Sequence, residues 1–306
     1  MFFKKTTSFL CVGLHLAILP LCFTQTHFSL LITHYSLLMK ISIMLFPYHG
    51  ALDQDLYTPE DLVKTFHDAG AVAIEVMRGW NDKSPTKWQR LLNAMKDNDM
   101  ACSCYDIGLN LVQPDSAERT KILDDCRHQI EYAHTVLKAA NVLIYSSKVA
   151  DGLSIEHCKK LYGEALGEMA EFASQFGINA TIEDFDPHPD FVCSAKSCME
   201  VLEIAGPKAK LCFDTGNFLD AGDNPADIYP LVKDRIAHVH VKEKGRNVAE
   251  HKLKIVRAGE GIAQINVIEA NLKRDGYEGY LSVEAGSNKL DEAVHDIHYL
   301  TSRLTL

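Results

Sequence analysis

The chain has 306 residues and a formal net charge of −10, with 47% hydrophobic and 24% charged residues. This is the composition of a folded globular protein, and it excludes a disordered chain, a collagen-like repeat and a small disulfide-stapled scaffold. Acidic residues outnumber basic ones 41 to 31, so the chain lacks the basic footprint that nucleic-acid binding needs. The length fits either two domains or one α/β barrel of about 250 residues.

Residues 1–38 are predicted to lie outside the fold. Lys4 and Lys5 precede an apolar stretch from residue 9 to residue 23, a pattern typical of a secretory signal. A membrane anchor is a weaker interpretation, because His15 and Pro20 interrupt the apolar run. We therefore expect no stable membrane association.

The same segment has a second interpretation. Two near-identical five-residue stretches begin at His27 and His34 and run directly into Met39. This duplication favours Met39 as the true start and the preceding residues as a mis-started extension. The prediction is a cytoplasmic protein whose single domain spans residues 39–306, with export as the alternative if residues 1–24 act as a signal.

From residue 39 onward, strand-like and helix-like patterns alternate strictly. Apolar runs predict eight strands, at 41–46, 71–77, 100–107, 141–145, 178–182, 209–213, 235–241 and 281–284. Amphipathic periodicity and capping signals predict eight helices, starting near 58 and spanning 84–96, 116–140, 154–176, 194–204, 226–232, 265–273 and 291–303.

Eight such units in the remaining length predict a (β/α)8 TIM barrel of α/β class. Parallel strands need helical crossovers, and apolar strands covered on both faces are typical of a parallel sheet. A doubly wound open sheet is the rival fold. No GxGxxG turn follows the first strand, so the dinucleotide-binding form of that fold has no support.

The nine cysteines indicate thiols rather than disulfides. Their number is odd, and no CxxC pair or regular spacing occurs. We therefore expect buried free thiols and a reducing compartment.

Chemistry-bearing side chains end the last four predicted strands. They are Glu183, Asp214, His240 and Glu284. In a barrel, the carboxyl ends of the strands meet at one rim, where the active site lies. Three crowded carboxylates would repel each other without a cation, and oxygen donors with one imidazole suit Mg, Mn, Co or Zn. The sequence predicts one divalent metal ion at this rim, with His238 one layer deeper in the barrel.

The motifs around these residues resemble those of the xylose isomerase-like TIM barrel superfamily, in particular its sugar phosphate isomerase/epimerase family. The similar segments are Asp-Thr-Gly-Asn at 214–217, His-Val-His-Val-Lys at 238–242 and the region from Gly259 to Glu284. The resemblance implies that Glu183, Asp214, His240 and Glu284 bind the metal and that the two glutamates act as acid and base. It is sharp only from about residue 178 to residue 286.

Three further residues are candidate substrate contacts. Asn217 stands where many ketose 3-epimerases of the family carry a histidine, whereas Arg246 matches the family's ketose-binding arginine. His188 follows Glu183 in a proline-stiffened Asp-Pro-His-Pro loop that would wall the pocket.

The resemblance implies a metal-dependent isomerase, a sugar or sugar phosphate epimerase or aldose–ketose isomerase, acting by proton transfer through a metal-bound enediolate. The runner-up is a keto-polyol dehydratase of the inosose type. A DNA-repair endonuclease of the same superfamily is less favoured, because the first strands lack its extra histidines, and a non-catalytic binding protein is a further rival. We expect a small-molecule sugar substrate; its phosphorylation and homo-oligomer formation are left open.

Overall fold

A closed barrel of eight parallel strands forms the centre of the structure, a computed structural model that describes residues 39–145, 147–184, 189–247, 250 and 252–304. The barrel strands are β1 (Lys40–Met44), β2 (Ala73–Met77), β3 (Ala101–Gly108), β4 (Asn141–Tyr145), β5 (Asn179–Glu183), β6 (Lys210–Asp214), β7 (Ile236–Val241) and β10 (Tyr280–Val283). Their order around the barrel is β1-β10-β7-β6-β5-β4-β3-β2, and every pairing is parallel. The predicted (β/α)8 barrel is confirmed.

Helices cover the outside of the barrel. They are α1 (His49–Asp53), α2 (Pro59–Ala69), α3 (Trp80–Lys83), α4 (Pro85–Asp97), α5 (Ser116–Tyr132), α6 (Ile155–Ser174), α7 (Ala195–Ala205), α8 (Pro225–Val232), α9 (Ile265–Arg274) and α10 (Leu290–Leu304). Several begin where a polar side chain caps free backbone N–H groups. Thr58 accepts a hydrogen bond from the N–H of Asp61, and Ser154 accepts one from the N–H of His157.

The barrel strands are apolar on the face that meets the helices, where most of the buried core lies. The inward face is different, because it carries buried polar side chains. Ser42 and Ser103 share a 2.6 Å hydrogen bond there, and Glu75, Asp106 and two histidines occupy neighbouring positions. This polar interior lies next to the functional site described below.

Helices α6 and α7 approach each other through glycines. A Cβ atom added at Gly167 would lie 2.6 Å from the carbonyl oxygen of Ala205, and one added at Gly163 would lie 2.6 Å from Cβ of Ile204. Real side chains do not come this close, so the packing of these helices requires residues without a side chain.

A hairpin that the sequence analysis did not predict follows β7. Strands β8 (Lys244–Asn247) and β9 (Lys252–Ile255) pair antiparallel and lie outside the barrel sheet. The buried carboxylate of Glu243 stabilises this region, since it accepts hydrogen bonds from the N–H groups of Lys244, Gly259 and Ala263.

One predicted helix is shorter than expected. The helix predicted over 116–140 ends at Tyr132 and continues as one wider turn over Ala133–Leu137. Lys138 then adopts a left-handed conformation with φ of 54°, which ends the helix.

The seven cysteines in the described part of the chain are all buried and none of them forms a disulfide, as expected for thiols. Within the described residues, no helix combines the length and apolar character needed to cross a membrane. The predicted domain boundary after residue 38 stays a prediction, because residues 1–38 lie outside the described residues.

Candidate active site

Four predicted metal ligands lie together at the carboxyl ends of β5, β6, β7 and β10. The potential ligand atoms of Glu183, Asp214, His240 and Glu284 all lie within 4.8 Å of one another. Nδ1 of His240 faces one oxygen of each carboxylate, at 2.8 Å from Glu183, 3.6 Å from Glu284 and 3.8 Å from Asp214. We refer to these four residues as the quartet.

The other nitrogen of His240 is held from across the barrel. Its Nε2 lies 2.9 Å from Oε1 of Glu75, and the second oxygen of Glu75 lies 2.9 Å from Nε2 of His238. Burial opposes ionisation of Glu75, but the two histidines outweigh it and hold the pKa of this carboxyl well below its ordinary value. A carboxylate at this position favours the His240 tautomer that donates from Nε2 and keeps the Nδ1 lone pair toward the quartet.

An ammonium group lies beside the quartet. Nζ of Lys242 is 2.9 Å from Oδ2 of Asp214 and 2.9 Å from Oε1 of Glu284, and it donates a 2.8 Å hydrogen bond to the side-chain oxygen of Asn217. Burial disfavours the charged form of Lys242, but the two carboxylates hold the pKa of the ammonium group well above its ordinary value. Lys242 is therefore a cation at neutral pH.

The turn after β6 orients the aspartate of the quartet. Oδ1 of Asp214 accepts hydrogen bonds from the N–H groups of Gly216 and Asn217, at 2.7 and 2.9 Å. Its Oδ2 is thereby directed toward His240 and Lys242. The amide nitrogen of Asn217 lies 3.5 Å from Oε1 of Glu183, so Asn217 links three members of the site.

Burial also affects the last glutamate of the quartet. It raises the pKa of Glu284 to about 7, against the opposing effect of the Lys242 charge. A carboxyl group with this pKa exchanges protons readily near neutral pH.

The quartet opens into a cavity of about 360 Å³ at the carboxyl end of the barrel. This size suits a small molecule. Polar groups line it on one side and mostly apolar side chains on the other. The lining residues are Met44, Phe46, Met77, Asp106, Leu143, Tyr145, Glu183, Asn217, Lys242, Ile255 and Glu284.

The predicted substrate contacts have different positions. Asn217 lines the cavity, whereas Arg246 is exposed on β8, in register with Leu253, and is not among the described lining residues. His188 lies outside the described residues. The roles proposed for these three residues and for the quartet stay predictions.

The sequence analysis missed two carboxyl groups of this site. Glu75 and Asp106 are buried inside the barrel, and each lies two residues before the end of its strand, but the sequence analysis assigned neither of them a role. A charged residue facing inward in an apolar strand was the available signal, because burying it without a partner is costly. The role of Lys242 was left undecided by the sequence.

The donor set fits a divalent cation. Three carboxylate oxygens and one imidazole nitrogen converge on one point, and this combination suits Mn, Zn, Co or Mg. The Lys242 ammonium group offsets part of the negative charge beside Asp214 and Glu284, and a divalent cation at this point would offset the rest. The bonds that Asp214 and His240 make through their other atoms leave Oδ2 and Nδ1 facing that point.

The chain belongs to the xylose isomerase-like TIM barrel family, whose sequence model matches residues 63–303. Among curated relatives, an inosose dehydratase of Clostridium botulinum is 32% identical over 114 residues, covering 31% of this chain and 38% of the relative. The rhizopine catabolism protein MocC of Rhizobium meliloti is 28% identical over 138 residues, covering 40% of this chain and 42% of that protein. The chain thus matches less than half the length of these two relatives.

Solved structures show the same fold. The probable 3-DHS dehydratase AsbF of Bacillus anthracis superposes with a TM-score of 0.70 at 19% identity, covering 86% of this chain and 99% of AsbF. IolI, solved with a bound zinc atom, gives 0.69 at 16% identity, covering 87% and 98%. An L-ribulose 3-epimerase gives 0.67 at 18% identity, covering 87% and 94%.

Proposed function

We propose that the protein is a divalent-cation-dependent dehydratase of a keto-polyol, a lyase that removes water from a carbon near a ketone. The observation that carries this proposal is the ammonium group of Lys242 beside Glu284, in the cavity that Glu183 and Glu284 line. The dehydratase names of the similar curated relatives support the same activity. The isomerase expected from the sequence is the second candidate.

The two candidate reactions share their first step. Both remove a proton from the carbon next to a carbonyl group, and both need a carboxylate to accept it. Glu183 and Glu284 line the cavity and either can reach a bound substrate. An epimerase then returns a proton to the same carbon, whereas a dehydratase protonates a leaving hydroxyl group on the next carbon.

The second step distinguishes the candidates by the atom that receives the proton, which is the oxygen of a leaving hydroxyl group in the dehydratase and a carbon in the epimerase. In the proposed reaction Glu183 takes the α-proton, the C–H electron pair forms the new C=C bond, and the neighbouring C–O bond breaks. The Lys242–Glu284 pair donates a proton to the departing oxygen, which leaves as water. Exchange with solvent returns the donor pair and Glu183 to their starting protonation states.

The quartet would hold the cation. When bound, a divalent cation supplies positive charge that stabilises the negative charge developing on the carbonyl oxygen. The bound zinc of IolI, a protein of the same fold, supports a metal at this position, and the donor set leaves its identity open among Mn, Zn, Co and Mg.

Product analysis tests the proposal. The purified protein, supplemented with Mn²⁺ or Co²⁺, is incubated in D₂O with an inosose and with a panel of ketoses. A dehydratase converts the inosose to a product lighter by one water, detected by mass spectrometry. A product of unchanged skeleton that has gained deuterium and inverted one carbon identifies the epimerase and overturns the dehydratase.

A substitution of Lys242 provides a second test of the proposal. Lys242→Met removes the donor, and we expect water loss to fall by more than about 100-fold while deuterium exchange at the α-carbon persists. Lys208→Met, on an exposed lysine paired with Glu171, is the matched control. Equal loss of exchange and of dehydration in Lys242→Met would contradict the separate role of the lysine.

We also propose a cytoplasmic location. None of the seven described cysteines forms a disulfide, which suits a reducing compartment.

A further inference from the structure

Asp106 is a buried carboxyl group to which no described residue donates a hydrogen bond. Its side chain is 1% exposed, and neither of its oxygens accepts a hydrogen bond from any described residue. Buried carboxyl groups normally have such partners, because leaving them unpaired is costly. The quartet does not include this residue, and the mechanism above does not use it.

The surroundings of Asp106 explain why it has no donor. On β3 it stands in register with Met77 on β2 and with Leu143 on β4, and all three side chains line the cavity. The side chains of Met77 and Leu143 have no N–H or O–H group that could donate a hydrogen bond. The side chain of Asp106 therefore faces the cavity with unused hydrogen-bonding capacity.

One polar neighbour lies deeper in the barrel. Burial and the nearby Glu75 carboxylate raise the pKa of Asp106 well above its ordinary value, and the proton that Asp106 then carries can be shared with Glu75. Both Glu75 oxygens already accept from histidines. A proton shared in this way occupies one oxygen of Asp106 and leaves the other for a ligand.

Asp106 lies across the barrel from the strand that carries His240, and two strands from β5, which carries Glu183. Counting either way around the closed barrel, β3 is four strands from β7, which carries His240 and leads into Lys242. A molecule whose carbonyl group lies at the quartet would extend its far side toward Asp106. The far wall otherwise contains mostly apolar lining residues.

We propose that Asp106 is a substrate-binding residue that accepts a hydrogen bond from a hydroxyl group on the side of the substrate remote from the quartet. This deepens the proposed function, because it defines the substrate as a polyol with hydroxyl groups on both sides. It rests on that function only in placing the substrate in this cavity.

Binding of myo-inositol, an unreactive neutral polyol, tests the inference independently of turnover. Calorimetric titration of the Mn²⁺-supplemented protein is expected to show binding, weakened about 10–100-fold in Asp106→Leu, which removes both oxygens. Asp106→Asn keeps an acceptor oxygen and can donate to Glu75, so its affinity should stay within about threefold of the original. Asp97→Leu, at the exposed end of α4, is the control for a generic change of charge and polarity.

Specificity gives a readout that a purely structural role would not change. Inososes that each lack one hydroxyl group are compared as substrates by their kcat/KM. The unmodified protein should reject one of them by about 10–100-fold, and Asp106→Leu should lose that discrimination with most of the change in KM. If Asp106→Leu does not fold, Asp106→Ala gives the same comparison.

The outcomes separate this inference from the proposed function. If myo-inositol binds through Asp106 but no keto-polyol loses water, the dehydratase fails and the binding role stands. If inososes are dehydrated and Asp106→Leu binds and discriminates like the unmodified protein, the binding role fails alone. Absence of myo-inositol binding to the unmodified protein also overturns it.

Discussion

Oε1 of Glu75 lies 2.9 Å from Nε2 of His240, so a residue of β2 fixes the imidazole of β7 from three strands away around the barrel. The contact is fully buried, and the same carboxylate also contacts His238. It favours a proton on Nε2 of His240, while Nδ1 faces Glu183, Glu284 and Asp214. The imidazole is therefore oriented before any cation binds.

Glu75→Gln should weaken the affinity for Mn²⁺ or Zn²⁺ by about 10–100-fold, because the neutral amide orients His240 less strongly and makes Nδ1 less basic. Competition against a chromophoric chelator measures this affinity without any substrate. Glu118→Gln, in the exposed first turn of α5, should leave it unchanged. Equal affinities in the Glu75 variant and the unmodified protein would show that the contact serves folding alone.

Metal removal should abolish activity reversibly. We expect about one divalent ion per chain by elemental analysis after supplementation, loss of turnover after dialysis against a chelator, and recovery when Mn²⁺, Co²⁺, Zn²⁺ or Mg²⁺ is added. Asp214→Asn should lower the ion's affinity by more than about 100-fold, whereas Asp234→Asn, which is exposed, should not. About three zinc ions per chain would instead support the endonuclease alternative.

The close contact of α6 and α7 predicts opposite effects for two glycine-to-alanine changes. Gly167→Ala should lower the free energy of unfolding by about 1–3 kcal/mol, since the new methyl group would meet the backbone of Ala205. Gly50→Ala lies in helical α1 with no atom within 4 Å of the added carbon, and it should be neutral or stabilise by up to about 1 kcal/mol. Urea midpoints of both variants check the difference, and a neutral Gly167 variant would show that the two helices can separate without loss.

His49 should contribute to acid sensitivity. Burial lowers its pKa to about 4 from 6.5, with Asp53 opposing, and its ring stacks on Trp80 at a centroid distance of 5.3 Å. The unfolded state therefore binds this proton at a higher pH than the folded state does. The free energy of unfolding is unaffected above pH 6.5 and decreases as the pH falls toward 4. The loss should reach about 1–3 kcal/mol.

Urea titrations at several pH values across this interval measure the effect. His49→Gln should lose less stability on acidification than the unmodified protein, and His67→Gln, at an exposed position of α2, should behave like the unmodified protein. If the free energy of unfolding depends on pH with the same slope in all three proteins, His49 does not contribute to the acid sensitivity.

The barrel could be predicted from the sequence because its strands alternate with amphipathic helices, and each strand is rich in apolar residues. The proximity of the four quartet residues could also be predicted, because parallel strands of a barrel place their carboxyl ends at one rim. All eight barrel strands lie close to their predicted ranges. The family match over residues 63–303 supports the same fold.

Contacts between side chains across the barrel could not be predicted from the sequence. Glu75 lies between Ile74 and Val76 in an apolar strand, and only the closure of the sheet reveals that it reaches the histidines of β7. The β8–β9 hairpin was also not predicted, because its Lys-Gly-Arg-Asn and Lys-Leu-Lys-Ile strands lack the apolar alternation of a buried strand. The position of Glu75 thus depends on long-range strand pairing, and the hairpin forms from polar segments that do not have the pattern of a buried strand.

The hairpin contributes one cavity wall that does not belong to the barrel. Ile255, on β9, lines the cavity, and the hairpin strands pair only with each other. The ladder that closes the barrel therefore does not depend on the identity of residue 255. A substitution at Ile255 should therefore change which ligands fit the cavity without disturbing the eight-stranded sheet.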